Sequence, residues 1–116
     1  MSRSPVVTAY GASWLERDPA ARLRLLEDAW ADDGVYCDPQ VQLTGRAGLL
    51  DHIGAFQAAA PGCEIVITSE PLEHHDTAFF RWAMRDAAGA DLLLGLDVAV
   101  FGDDGRICRL TGFFTH

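Results

Sequence analysis

The sequence predicts an α+β domain in which three helices cover one bent antiparallel sheet. Three observations predict it. Apolar residues recur at helical spacing up to Pro61-Gly62. Beyond that point the period shortens to strict alternation, interrupted only by turn-forming clusters. Helical and strand patterns also occupy separate parts of the chain rather than alternating, which argues against a parallel α/β sheet.

The first helix spans roughly residues 5–16, with Val7, Tyr10 and Trp14 on one stripe. Asp18-Pro19 supplies an N-cap and a first-turn proline for a second helix. Its core face carries Leu23, Leu26 and Trp30, and Asp32-Asp33-Gly34 is expected to stop it. Val35-Tyr36-Cys37 reads as a short extended piece that ends at Asp38-Pro39, where the proline biases Asp38 toward extended geometry. Gly45-Arg46 opens a third helix with Leu49, Ile53, Phe56 and Gln57 on one stripe, closed by Pro61-Gly62. Four strands follow at about 63–72, 77–86, 91–101 and 106–115, with breaks at His74-His75-Asp76, Ala88-Gly89 and Asp103-Asp104-Gly105. Such short connections make an antiparallel meander. Parity places Phe80, Trp82 and Met84 on one sheet face and Arg81 and Arg85 on the other, while Leu110, Gly112 and Phe114 share a face of the last strand. Gly95 and Gly112 fit bend or bulge positions that open space inside.

Composition narrows the function classes. The chain has 116 residues, one domain's worth, and a formal charge of −8, which is the wrong sign for nucleic acid or an anionic membrane surface. All nine basic residues are arginine, so no lysine is present for Schiff-base chemistry. No apolar run is long enough to cross a bilayer and the N-terminal residues open no signal-peptide pattern, giving a cytoplasmic expectation. Cys37, Cys63 and Cys108 are odd in number and lack ligand spacing, as expected of free, mostly buried thiols. His74-His75-Asp76 reads as a solvated hairpin turn and not a metal site, because adjacent turn residues are expected to point apart. His52 reads as a surface residue beside Ile53, and His116 shares the parity of Phe114, at the mouth of any pocket. No metal or organic cofactor is implied.

The residue that stands out is Asp97, the one ionisable side chain in the apolar run Leu92–Phe101. A carboxyl buried without a partner tends to be protonated, and a neutral carboxylic acid donates a hydrogen bond. The bland alternatives are a carboxylate at the sheet rim or one paired with a buried arginine. For Asp38 the bland alternative is an Asx turn ahead of Pro39.

Trp30-Ala31-Asp32-Asp33-Gly34, Asp38-Pro39, Gly45-Arg46, Phe80–Met84, Asp97-Val98 and Gly105-Arg106-Ile107, in that order, resemble the nuclear transport factor 2-like superfamily. Within it the pattern is most similar to the ketosteroid isomerases, with SnoaL-like polyketide cyclases as relatives. The resemblance implies a cone-shaped half-barrel and a homodimer. It aligns Asp38 with the isomerases' general base and Asp97 with their protonated carboxylic acid, an arrangement well described for ketosteroid isomerase. Phe80, Trp82, Met84, Leu110 and Phe114 fall at pocket-lining positions. The isomerases' oxyanion tyrosine is Trp14 here, and the two tyrosines that support it are Trp30 and Ile53. An indole N–H is a donor only, so Trp14 offers a second donor of a different kind. The fold hosts several reactions as well as non-enzymes. The expectation is a small-molecule enzyme or binding protein with an apolar pocket for a small apolar ligand. If catalytic, it would transfer a proton α to a carbonyl, in isomerisation or cyclisation. The alternatives are a non-catalytic ligand-binding or dimerisation module, and a dehydratase or polyketide cyclase relative. An epoxide hydrolase would need an arginine between two aspartates, and Arg81 falls on the opposite sheet face.

Overall fold

A computed structural model describes residues 2–115. Helix α1 (Ser4–Leu15) carries Pro5 in its first turn and buries Val7, Tyr10, Ser13 and Trp14 along one stripe. Helix α2 (Pro19–Ala29) is capped by Asp18, whose carboxylate accepts from the Ala21 N–H at 3.1 Å. It ends one residue before Trp30, which departs from the expected helix face and instead opens strand β1 (Trp30–Cys37). Tertiary bonding overrides the helical pattern there. Trp30 pairs with Ile107, and its carbonyl accepts two N–H groups of Arg46 at 2.7 and 3.0 Å. Asp32-Asp33-Gly34 therefore lies inside β1, at a register shift, and the Trp30 indole packs where a Gly34 side chain would otherwise stand.

Strand β2 (Gln42–Thr44) folds back on β1, and Gly45, at φ +98°, leads into α3 (Arg46–Ala59), which buries Leu49 and Ile53. The expected strand over 63–72 is split into β3 (Glu64–Ile67) and β4 (Leu72–His74), both paired with β5 (Thr77–Arg85). Pro71, which has no N–H, falls in the gap, and the Ser69 hydroxyl accepts the Arg81 N–H at 2.8 Å where a strand carbonyl is missing. Strands β6 (Asp91–Phe101) and β7 (Ile107–Phe114) complete the antiparallel run β5–β6–β7.

The sheet runs β2-β1-β7-β6-β5-β3, strongly curved and unclosed. It is mixed where a meander was expected, because β1 joins β7 in parallel. The bulges fall at Trp30/Val35, Met84/Arg85 and Val100/Phe101 rather than at the two glycines. Register puts Tyr36, Leu110, Ala99, Ala78 and Phe80 on the concave face toward one end, and Trp82, Gly95 and Phe114 toward the other. Asp97 stands between these groups, opposite Phe80 on one side and Gly112 on the other. Helix α1 lies over the first group: Tyr10 stacks on Trp30 with centroids 5.8 Å apart and meets Phe80 edge-on at 6.2 Å.

Candidate active site

Asp97 is 7% exposed and projects from mid-β6 into the concave face. Space for it is made by Gly112: a methyl group there would lie 2.9 Å from Asp97 Oδ1 and 3.6 Å from the Asp38 Cβ. The two acids thus converge on either side of one missing side chain. Gly95 performs the same service for the Trp82 indole, which fills the place a side chain would take. Burial pushes the Asp97 carboxyl up to about 8. The Trp82 indole N–H pulls the other way, short of a formed hydrogen bond, since Trp82 Nε1 is enclosed and without a partner; the nearby Asp38 charge adds a further upward push. At neutral pH Asp97 is mainly the neutral acid.

Asp38 is half-buried at the end of β1 and is held differently. Its Oδ1 accepts the N–H groups of Gln40 and Val41 at 2.8 and 3.0 Å, so the Asx turn is present. Its Oδ2 accepts the Tyr36 hydroxyl at 2.9 Å. The turn and a chemical role do not compete, because the turn bonds go to Oδ1, while Oδ2 accepts only from Tyr36 and keeps acceptor capacity. Burial, followed by the Asp38 charge and their hydrogen bond, drives the Tyr36 hydroxyl far above its ordinary value, so it stays a donor.

Both carboxyls line one cavity of about 350 Å³. Its aromatic walls are Tyr10, Trp14, Tyr36, Phe56, Trp82 and Phe114, and Ile65, Ile67, Met84 and Leu93 line its sheet side. Gln40 and His52 add polar groups, and no arginine faces it. Of the residues singled out from sequence, Asp38, Asp97, Trp14, Trp82, Met84 and Phe114 meet here. Trp30, Ile53, Phe80 and Leu110 do not line the cavity; all four are fully buried behind it. Tyr10 and Tyr36 stand in front of them, Tyr10 against Trp30 and Phe80 and Tyr36 opposite Leu110. Those two tyrosines were missed, although each shares a face with a chosen residue: Tyr10 lies one turn before Trp14, and Tyr36 two residues before Asp38 on a strand.

His52 is not a free surface residue. It packs half-buried against Tyr36 and Trp14, with ring centroids at 5.3 and 5.9 Å. Contrary to expectation, His74 and His75 point at each other, Nδ1 to Nδ1 at 3.0 Å, on an exposed turn where His75 has φ +52°. Among the described residues no group of three His, Cys, Asp or Glu side chains could hold a metal ion. Arg81 lies on the convex face over the Phe79 ring, away from the two acids. His116 lies outside the described residues, and Cys37, Cys63 and Cys108 are free and half-buried.

The SnoaL-like domain matches residues 7–110 of the chain. A solved SnoaL-like family structure from Agrobacterium tumefaciens, described as a candidate isomerase, superposes with a TM-score of 0.92 at 31% identity, covering 100% of both chains. The chain belongs to the SnoaL-like family. A nuclear transport factor 2-like protein of unknown function from Exiguobacterium shares the fold at a TM-score of 0.75 and 21% identity, covering 95% of this chain and 98% of that one. A candidate polyketide cyclase from Sinorhizobium meliloti shares it at 0.68 and 24%, covering 93% of each. No curated protein matches the chain. No helix among the described residues is long and apolar enough to cross a membrane.

Proposed function

We propose that this SnoaL-like protein is an enzyme that moves a proton α to a carbonyl group of a small, largely apolar substrate. The observation that carries the reading is the pair of carboxyl groups in contrasting surroundings at one apolar cavity. Asp38 sits among hydrogen-bond donors, and Asp97 sits enclosed and protonated. Proton transfer at carbon needs both a base and a donor, and environments that separate two carboxyls supply them. In the proposed step a lone pair of Asp38 Oδ2 takes the α-proton, the C–H electron pair becomes the carbon–carbon double bond of the enolate, and the carbonyl π pair moves onto the oxygen. Asp97, itself largely buried, donates a hydrogen bond to the enolate that forms, and as a donor already in place it needs little reorganisation. Asp38 then returns the proton to a different carbon, which completes an isomerisation. Alternatively the enolate carbon attacks a second carbonyl, and the proton goes to the new alkoxide, which completes an aldol cyclisation. Structural relatives described as a candidate isomerase and a candidate polyketide cyclase support these two outcomes.

The protein is further proposed to be a homodimer. Leu94 and Phe113 lie 43% and 48% exposed on neighbouring strands of the convex face, Phe113 being the register partner of Leu96, and they leave an apolar surface that a second copy would cover.

Hydrogen exchange and isomerisation of a panel of β,γ-unsaturated ketones test the assignment. Asp38→Asn is expected to lower the rate by about 10²–10⁴ and Asp97→Leu by about 10²–10³. Full activity in both variants would remove the assignment.

A further inference from the structure

The hairpin between β4 and β5 holds a pair of ligating side chains that the proton-transfer scheme does not touch. His74 closes β4 opposite Thr77, and His75 follows it in the left-handed region, at φ +52°. Successive residues of an extended strand point to opposite faces, so two adjacent rings meet only where that alternation is broken. The left-handed turn breaks it, in a conformation that a non-glycine residue adopts rarely. His74 Nδ1 consequently faces His75 Nδ1 at 3.0 Å, with the ring planes at 89°. As it stands the pair is one N–H···N hydrogen bond, one ring donating and the other accepting. Both rings are exposed, and neither lines the cavity that holds Asp38 and Asp97. The turn is anchored on both sides. The Asp76 carbonyl accepts the Phe101 N–H at 2.8 Å, and both Glu73 carboxylate oxygens accept the Arg3 N–H at 3.0 Å.

We propose that His74 and His75 form a two-nitrogen chelate for a divalent transition-metal ion whose remaining positions are filled by water. The spacing carries it. Two imidazole nitrogens at right angles on one ion, each about 2.0–2.1 Å from it, stand about 2.9 Å apart. A tetrahedral angle would set them about 3.3 Å apart. The observed 3.0 Å lies at the right-angle bite, which suits Cu(II) or Ni(II) better than tetrahedral Zn(II). Rotation of each ring about its soft χ2 torsion turns both lone pairs toward one ion with the backbone in place. On binding, the hydrogen that one ring carries on Nδ1 passes through solvent to its own Nε2. Both Nδ1 lone pairs are then donated, and the neutral pair releases no net proton. No third His, Cys, Asp or Glu among the described residues completes a ligand set, which leaves the other positions to water. The acidic side chains beside the pair are engaged elsewhere, Glu73 with Arg3 and Asp76 Oδ1 with the Thr77 hydroxyl at 3.3 Å. They and the chain charge of −8 draw cations to the turn without ligating them. The anchored backbone holds the two donors together before the ion arrives, which lowers the ordering cost of binding. A bound ion ties the end of β4 to the turn and stabilises the fold by mass action.

Calorimetric titration of the whole chain with Ni(II) tests this, and Ni(II) spares the three free cysteines the oxidation that Cu(II) would bring. The wild type is expected to bind one Ni(II) at least about tenfold more tightly than His74→Ala or His75→Gly, because its second imidazole binds intramolecularly. Glycine accepts φ +52° without strain, so His75→Gly keeps the turn, and His74→Ala alters only an exposed side chain. In wild-type NMR spectra Ni(II) is expected to broaden the amides of residues 73–77 before any others. The thermal unfolding midpoint is expected to rise with Ni(II) in the wild type and in neither variant. Mg(II), which prefers carboxylate and water to imidazole, is expected to produce none of these effects. Equal Ni(II) affinity in the wild type and either variant overturns the proposal, since one ring or a site elsewhere then accounts for binding. So does Mg(II) binding as tight as Ni(II), which would leave only the acidic flank, and so does broadening that begins outside the turn. Should one variant fail to fold, the other variant and the two wild-type contrasts decide.

Discussion

At the scale of single residues, Gly112 accounts for more of the site than its size suggests. A side chain at this position on the concave face would come within 2.9 Å of Asp97 Oδ1 and force that carboxyl to shift, while only touching Asp38, so the present placing of Asp97 depends on that vacancy. Gly112→Ala is expected to destabilise the fold by about 1–3 kcal/mol, the usual cost of forcing a methyl into packed space. It is also expected to lower activity more than stability alone explains, which thermal unfolding and initial rates measured together would check. Asp97 was legible in the sequence because an ionisable side chain in an apolar strand breaks a burial rule. Tyr10 was not, because a tyrosine on the apolar stripe of a helix looks like ordinary core. Only its place on the cavity wall marks it out, and that depends on how α1 packs on the sheet, which spacing does not record.

At the scale of elements, the frame that holds α1 over the cavity is an arginine without a carboxylate. Arg22 is 3% exposed and donates to the Glu16 carbonyl at 2.9 and 3.1 Å and to Gln57 Oε1 at 2.6 Å. Gln57 in turn donates to the carbonyls of Trp14 and Glu16, both at 3.1 Å. The carbonyls at the C-terminal end of α1 carry partial negative charge and lack intrahelical partners, so they stand in for an anion. Arg22→Met would leave them buried and unpaired, and is expected to cost about 2–3 kcal/mol in urea unfolding, with the slope unchanged. An arginine in a helix beside Leu23 reads from sequence as solvated, which is why this staple was not anticipated. The helices and the long strands were legible from period alone. The parallel β1–β7 pair was not, since residues 30–37 join a partner almost eighty positions away and no local pattern records that choice. The division of the 63–72 segment was foreshadowed by Pro71, but the Ser69 side chain that bridges the gap is a tertiary contact.

At the scale of the whole molecule, convex face and buried acid make separate predictions. A dimer closed through the convex sheet face is expected to fall apart in Phe113→Asp, with sedimentation showing the monomer mass. A normal dimer in that variant would move the interface elsewhere. Asp97 links the fold to pH. Its folded value of about 8 lies above the ordinary 3.8, so the native state keeps a proton that the unfolded chain releases. Its contribution is therefore fully present below about pH 4 and is lost as pH rises from there to about 8, at up to about 1.4 kcal/mol per pH unit. Urea unfolding of wild type and Asp97→Asn at pH 5 and pH 8 is expected to show the wild type losing ground to the variant as pH rises. The neutral acid at Asp97 is the claim on which the proposed site depends. Carbon-detected NMR titration of the aspartate carboxyls measures it directly. One carboxyl is expected to titrate near pH 8 and to be absent from Asp97→Asn, whereas a wild-type spectrum in which every aspartate has ionised below pH 5 would contradict a neutral Asp97.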